Sequence, residues 1–509
     1  MQRNILEYLE KTVQEFPDKI AFANDTELMT FRQLSENAKA IGSFLIGQAH
    51  EKEPVVVFMG KRPRTIATFM GVLYAGCYYV PIDEEMPKQR IELIFQSLGS
   101  MSIICDSETK SILESYNYNG KLYGYDEIIK TVVNDKALEE IRSRQIDTDP
   151  VYIVFTSGST GIPKGVVACH RSVIDYIDNL VVVMGFDNNT VFGNQAPLYV
   201  DGCLKDAFST IKLGATAYLI PKKLFMFPLK LAEYLNNNKI NTICWVASAI
   251  SLLSSFGVLE KETPKYLKTI AFGSEVFPIK QLQIYKKYLP NARYFNLYGP
   301  TEATGMSCYY EVKRDFELDE VIPIGKPFDN TEIILLDENK KRTKFGEPGE
   351  ICIRGTSVTL GYYKDFEKTA KVFIQNPLND LYPEVIYCTG DMGRYNEFGE
   401  LIYISRKDNQ IKHMGYRIEL NEIELAANMM DKVKSACCIF DDVKKKILLF
   451  YSGDIAKDEI INHMKEKLPR YMIPNVIEQV ESMPFTLSGK INRMQLKETY
   501  LNRKENNNG

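Results

Sequence analysis

Small hydroxylated residues alternate with glycine in VYIVFTSGSTGIPKGVV, residues 151–167, where Thr156, Ser157, Gly158, Ser159, Thr160 and Gly161 precede Pro163-Lys164-Gly165. Such a run lets backbone N–H and side-chain O–H groups converge on phosphate oxygens, and Lys164 adds positive charge. The chemistry implied is phosphate binding, with a flexible surface turn as the competing reading of the loop taken alone. The spacing is not that of a Walker A loop: Lys490 follows Gly489, but the next residue is Ile491. Four further segments concentrate polar and glycine residues: YFNLYGPTEAT at 294–304, YCTGDMGRY at 387–395, RKDNQIKHMGYRIEL at 406–420 and PFTLSGKINR at 484–493. Metal-thiolate chemistry has no comparable signal, because the ten cysteines form no C-x-x-C pair and the four histidines, His50, His170, His413 and His463, lie far apart.

The elements that must position these segments follow from periodicity. Short β-branched apolar runs bounded by turns predict strands at Pro54–Met59, Met101–Cys105, Val151–Phe155, Thr216–Ile220, Thr242–Val246 and Thr269–Phe272. Helical patterns intervene, as at Leu229–Asn238 and Ile279–Tyr288. This alternation predicts an α/β fold with helices packed on parallel sheets. After about residue 320, close-set strands (Glu332–Leu336, Gly349–Arg354, Val385–Thr389, Leu401–Ile404) predict a β-rich subdomain. A short α+β pattern resumes at Lys407, so the expected domains are residues 1–406 and 407–509, the tail 501–509 reading as disordered.

Bulk properties narrow the function class. The 509 residues carry 62 Lys+Arg against 66 Asp+Glu, a net charge of −4, which gives no electrostatic case for nucleic acid or an anionic membrane surface. The longest apolar stretches, such as Leu180–Phe186, fall short of a membrane span, so no membrane insertion is expected. The N-terminus spaces Ile5, Leu9, Val13 and Phe16 as one helical face with charges between them, unlike a signal peptide. Scattered cysteines suit a reducing cytoplasm.

In order and separation, the phosphate-loop segment and the four further segments resemble the adenylate-forming enzymes, the superfamily of acyl-CoA synthetases, luciferases and nonribosomal peptide synthetase adenylation domains. NQAPLYVD at 194–201 and GYRIELNEIE at 415–424 are most similar to amino-acid adenylation domains, including the freestanding kind that loads D-alanine. The resemblance implies a large body of two α/β sheet subdomains and a β-barrel-like one, with a small mobile α+β cap. It implies ATP and Mg²⁺ as cofactors. The implied reaction activates an amino acid as aminoacyl-AMP, releases pyrophosphate, and transfers the aminoacyl group to the phosphopantetheine thiol of a separate carrier protein.

The resemblance also assigns roles. Thr156, Ser157, Thr160 and Lys164, with Gly158, Ser159 and Gly161 shaping the loop, embrace the β- and γ-phosphates. Thr301 touches the α-phosphate and Glu302 helps hold Mg²⁺. Tyr298 stacks on adenine beside Gly299, Asn296 offers an amide to the base edge, and Asp391 and Arg406 hold the ribose. Lys490 bridges the substrate carboxylate and α-phosphate, and Asp408 is the hinge about which the cap turns. Two departures from the family pattern are Ser405 before Arg406 and Met414 before Gly415.

Asp201 matches the carboxylate that pairs with a substrate α-amino group, and the family's pocket positions fall on Gly202, Lys205, Trp245, Ile270, Phe272, Leu297, Gly305 and Met306. Lys205 is the unusual member: it either answers a carboxylate or carbonyl on the substrate or pairs with Asp206. Alternative functions are an acyl- or aryl-acid CoA ligase, a D-alanine–carrier protein ligase, and a nucleotide-binding scaffold without catalysis.

Overall fold

The computed structural model describes residues 2–158, 161–407, 410–484 and 491–505; Ser159, Thr160, Asp408 and Lys490 lie outside the described residues. The chain divides into two compact units. The larger comprises Met1–Glu84, Leu98–Phe155 and Gly165–Ser405, and the smaller Glu85–Ser97, Thr156–Lys164 and Arg406–Gly509. Two short segments of the first four hundred residues therefore group with the C-terminal unit, which no local sequence pattern signals.

The larger unit is mixed α/β. Runs such as Pro54–Phe58 and Ser100–Cys105, apolar at nearly every position, form strands covered on both faces. They belong to a six-stranded sheet in which Pro54–Phe58 lies parallel to both Tyr78–Ile82 and Ser100–Cys105. Pro150–Thr156, which leads into the phosphate loop, pairs in parallel with Tyr78–Ile82. A second sheet has nine strands, with Val191–Asn194, Thr242–Val246, Thr269–Gly273 and Arg293–Tyr298 parallel in that order.

Strand alternation separates the two faces of this second sheet. Cys244, Ala271, Phe295 and Leu297 join a core shared with the first sheet and with helices His170–Met184 and Leu204–Leu213. Ile243, Trp245, Ile270, Phe272 and Tyr294 join a core with helices Pro228–Asn237, Ala247–Ser255 and Ile279–Tyr288. Helices thus cover both faces, as the alternating pattern predicts.

The expected β-rich subdomain is a five-stranded antiparallel sheet. Its central strand, Val385–Tyr395, runs well beyond the expected Thr389. It passes through a bulge opposite Glu350 and Cys352, with Gly390 at φ +75°. Bulges re-aim side chains at sites of this kind.

The smaller unit contains the hairpin Gln410–His413 and Tyr416–Glu419, a three-stranded sheet, and helices Leu420–Asn428, Lys457–Lys467 and Arg493–Glu505. The last helix corrects one expectation, because it includes residues 501–505 of the tail read as disordered. Leu496 and Tyr500 pack with Cys437 and Phe450, and this buried face lets the polar last turn remain helical. No helix among the described residues is long and apolar enough to cross a membrane.

Segment 85–97 is tied to the smaller unit by a buried ion pair, Arg90 Nη1 to Glu422 Oε1 at 2.7 Å, with both side chains 5% exposed. Removing one partner of such a pair leaves a buried charge, whereas removing both does not. Arg90→Leu is expected to lower stability by about 3–5 kcal/mol, and Arg90→Leu with Glu422→Leu to recover most of that loss. Urea unfolding of the two variants and the wild type checks this; equal losses in both would contradict it.

Candidate active site

The ends of strands Thr269–Gly273 and Arg293–Tyr298 open onto the segment Gly299-Pro300-Thr301-Glu302. A ligand crevice at the carboxyl ends of parallel strands is the general expectation for such sheets. A Cβ on Gly299 would lie 2.4 Å from the Gly305 carbonyl oxygen and 2.5 Å from Met306 Cα, so glycine is what lets the chain fold back on itself here. Ser307 N–H donates to the Tyr298 carbonyl at 2.7 Å and closes the loop.

Tyr298 O–H donates to Asp391 Oδ2 at 2.7 Å. Burial and the adjacent Asp391 push the phenol well above its ordinary range, so it remains a donor. Asp391 sits on the bulge and is itself braced: its N–H donates to Thr389 Oγ1 at 2.9 Å, and Thr389 O–H donates to the Ile351 carbonyl at 2.7 Å. Gly390 N–H donates to Glu350 Oε1 at 3.0 Å. Asn296 donates through Nδ2 to the Pro323 and Ile322 carbonyls at 2.8 and 3.3 Å. The edge it can offer a base is consequently its carbonyl oxygen, an acceptor for an exocyclic amine.

Glu302 lies in the short turn Thr301–Ala303 and is 0% exposed. Tyr362 O–H donates to its Oε1 at 2.7 Å, and Thr359 N–H donates to its main-chain oxygen at 3.0 Å. A fully buried carboxylate with oxygen donors around it has the chemistry of a hard-cation ligand, and Mg²⁺ bound with phosphates needs only one or two protein carboxylates.

Asp201 begins the turn that leads into helix Leu204–Leu213. Its Oδ2 accepts the Gly305 N–H at 3.3 Å. Loss of water raises its carboxyl above the usual range, with Lys205, the Thr301 hydroxyl and Gly305 N–H acting in the opposite direction. Lys205 Nζ donates to the Gly202 carbonyl at 2.6 Å, its one hydrogen bond among the described residues. Asp206 accepts Asn194 Nδ2 at 2.8 Å on Oδ2, while its Oδ1 and Asn194 Oδ1 are buried without a partner among the described residues. Burial pushes the Asp206 carboxyl up to about 6 against the pull of Lys205, Asn194 and Lys61. Lys61 donates to the Asn194, Gln195 and Ile220 carbonyls at 2.9, 3.0 and 3.2 Å.

Among the expected phosphate-loop residues, Thr156, Ser157, Gly158, Gly161 and Lys164 belong to the smaller unit, as does Arg406. Gly158 is required by the turn, since a Cβ there would meet the Ile162 oxygen at 2.1 Å, and Gly161 adopts φ +78°. Thr156 Oγ1 is buried without a hydrogen-bond partner among the described residues, which fits a ligand oxygen. Ser157 O–H donates to the Arg417 carbonyl at 2.8 Å within the same unit.

Leu297 and Met306 share an apolar core with Cys203 and Leu204, next to Asp201, Gly202 and Lys205. The structure does not gather Trp245, Ile270 and Phe272 into that cluster. They are absorbed into the core on the other face of the sheet, where Trp245 Nε1 donates to the Gly193 carbonyl at 2.6 Å and Phe272 packs on Phe277. Sequence reasoning missed Tyr362, Glu350, Thr389 and Asn194, which hydrogen-bond Glu302, Gly390, Asp391 and Asp206, and Lys61, which donates to the Asn194 carbonyl. Tyr362, Glu350 and Lys61 are common residue types outside any dense motif; the available signals were Thr389, beside Gly390-Asp391, and Asn194, at the head of NQAPLYVD.

Comparison with known proteins identifies the family and the fold. The model of the family described as AMP-binding enzyme matches residues 9–363. Tyrocidine synthase 3 of Brevibacillus parabrevis is 30% identical over 506 residues, covering 97% of this chain and 8% of that protein, so the chain spans a small fraction of the relative's length. The artificially fused adenylation–PCP di-domain NpsA-ThdA of Klebsiella oxytoca superposes with a TM-score of 0.80 at 19% identity, covering 93% of each chain. The adenylation domain AlmE of Vibrio cholerae, in complex with glycyl-adenosine-5'-phosphate, superposes with a TM-score of 0.83 at 18% identity, covering 98% of each. With the family model spanning well over half of its length, and with the fold of adenylation domains, the chain belongs to the AMP-binding enzymes, the adenylate-forming superfamily.

Proposed function

We propose that this protein is an ATP-dependent amino-acid adenylating ligase that passes its aminoacyl group to the phosphopantetheine thiol of a carrier protein. In the first half-reaction a carboxylate oxygen of the amino acid attacks the α-phosphorus of ATP, and the bond to the β-phosphate oxygen breaks to release pyrophosphate. In the second, the thiol sulfur attacks the activated carbonyl carbon and AMP leaves. The observation that carries this reading is Asp201, a desolvated carboxyl beside Thr301 and Gly305 at the crevice. A substrate ammonium placed against it would restore the charge balance that loss of water upsets. The similarity to AlmE, whose complex contains an aminoacyl adenylate, supports the same substrate class.

The roles in this proposal are those the family resemblance implies, supported by the contacts of the described residues. Tyr298 presents its ring to adenine while its O–H orients Asp391 for the ribose hydroxyls. Asn296 accepts from the adenine amine through Oδ1. Thr301 faces the α-phosphate, and Thr156, Ser157, Thr160 and Lys164 take the outer phosphates. Tyr362 fixes Glu302, which would hold Mg²⁺. That ion would neutralise phosphate charge as it develops. Lys490 supplies a movable ammonium between the two reacting anions, and Asp408 is the hinge that withdraws it.

Amino-acid-dependent exchange of pyrophosphate into ATP tests the function; no exchange with any L- or D-amino acid would exclude it. A CoA ligase would instead form thioester with free CoA in preference to a holo carrier protein, which a paired acceptor assay distinguishes.

Lys490→Ala is expected to reduce adenylation by several orders of magnitude while transfer from a supplied aminoacyl adenylate is largely retained, because the ammonium acts only as charge builds at phosphorus. Equal losses in the two assays would refute this division.

The single hydrogen bond of Lys205 favours a substrate side chain bearing a carboxylate or carbonyl. Lys205→Met should then lower exchange with the preferred substrate roughly tenfold to a hundredfold more than exchange with alanine, the loss of one charged hydrogen bond. An unchanged ranking of substrates would refute the assignment.

Asp206 generates a stability prediction. Its folded value of about 6 lies above the ordinary carboxylate value of about 4, so the native state holds a proton that the unfolded chain has lost. The resulting stabilisation is present below about pH 4 and is lost as pH rises through about 6. Asp206→Asn should flatten the decline by on the order of 2–3 kcal/mol, measured by denaturant unfolding across that window, with Asp201 contributing the residual slope.

A further inference from the structure

Beside the bulge that carries Asp391, the sheet of the β-rich subdomain brings three potential ligands together. Cys352 and Cys388 are direct cross-strand partners on Gly349–Gly355 and Val385–Tyr395. Glu350 lies two residues before Cys352, so strand alternation puts its side chain on the same face. The two sulfurs are 3.6 Å apart. Among the described residues these are the one group of three metal-ligating side chains whose donor atoms all lie within 4.8 Å of one another. Ile334, Leu336 and Ile386 surround the cysteines with apolar surface.

We propose that Glu350, Cys352 and Cys388 form a binding site for a soft divalent cation of the Zn²⁺ class. Two thiolates each about 2.3 Å from a tetrahedral centre stand about 3.8 Å apart, close to the spacing already present without movement of the backbone. Sulfur selects zinc-class ions over Mg²⁺, which keeps this site distinct from the Glu302 position. On binding, the two thiols release their protons, two metal–sulfur bonds and one metal–oxygen bond form, and water completes the fourth position. No electron changes hands.

The position has a structural consequence. Glu350 accepts the Gly390 N–H, and Cys388 immediately precedes Thr389-Gly390-Asp391. A cation held by Glu350, Cys352 and Cys388 would clamp both ends of the bulge that carries Asp391. No disulfide joins Cys352 and Cys388, so the bulge has no covalent cross-link at this point.

The test uses the full chain, reduced and stripped of metal, titrated with Zn²⁺ by calorimetry and with Cd²⁺ by its ultraviolet thiolate charge-transfer band. One saturable equivalent per chain is expected. Cys352→Ser and Cys388→Ser should each weaken binding by more than about a hundredfold, and Glu350→Gln by about tenfold. Cys437→Ser, from the adjacent Cys437-Cys438 pair, should bind as wild type does. Because serine variants can misfold, X-ray absorption of the wild-type protein holding one equivalent of zinc supplies an independent reading: two sulfur ligands at about 2.3 Å are expected. Absence of stoichiometric binding, a zinc shell of nitrogen and oxygen alone, or binding that survives loss of either cysteine would overturn the proposal. So would a Cys352–Cys388 disulfide whose reduced form takes up no cation.

Discussion

Glu302 is shut off from water, and a carboxylate in that position costs several kcal/mol unless other groups answer its charge. The same constraint recurs at Asp391 and Asp206, each 1% exposed. The partners lie on other elements, 60 residues away for Glu302 (Tyr362), 93 for Asp391 (Tyr298) and 12 for Asp206 (Asn194). The fold can keep these carboxylates only by bringing its second sheet, the helix that begins at Leu204 and the β-rich subdomain into register. Holding negative charge out of water therefore fixes the site and the packing together. It also leaves the larger unit ready for cationic ligands, which is the electrostatic basis of the function proposed above.

Glycine supplies the complementary constraint, that of close backbone approach. At Gly299 the chain passes so near Gly305 and Met306 that any side chain would force the turn apart, and the turn is what places Thr301 and Glu302 just beyond the C-terminal end of strand Arg293–Tyr298. At Gly158 the opposing atom is the Ile162 carbonyl, and nearby the Thr156 hydroxyl has no partner among the described residues. Turns of this type leave polar groups aimed at a ligand while strands on either side satisfy the remaining backbone. The smaller unit relies on a different device, the buried Arg90–Glu422 pair, to hold a helix contributed by the first hundred residues.

Much of the fold was legible because its strands are short, apolar and bounded by turns. Thr242–Val246 and Ile279–Tyr288 match the expected spans, and most other expected elements shift by one or two residues. The two larger departures have identifiable causes. Val385–Tyr395 continues through Gly390 because a bulge lets a strand absorb extra residues without ending. Helix Arg493–Glu505 persists into a polar tail because Leu496 and Tyr500 anchor it, which local composition cannot report.

The sequence by itself determined the superfamily and the chemical identity of the candidate residues, because dense motifs such as YFNLYGPTEAT and FTSGSTGIPKG encode local turns whose geometry depends on neighbours in the chain. Tertiary structure alone decided which side chains brace them. Nothing in the sequence joins Glu302 to Tyr362 or Gly390 to Glu350, and nothing distinguishes Leu297, on the face toward Asp201, from Phe272, buried on the other. Strand pairing and the alternation of side chains across a sheet assign those places, and a shift of one residue in register reverses them. Local turns follow from bonded geometry and short-range sterics; the partners of buried charges follow from packing between segments tens to hundreds of residues apart, and only the folded chain contains that information.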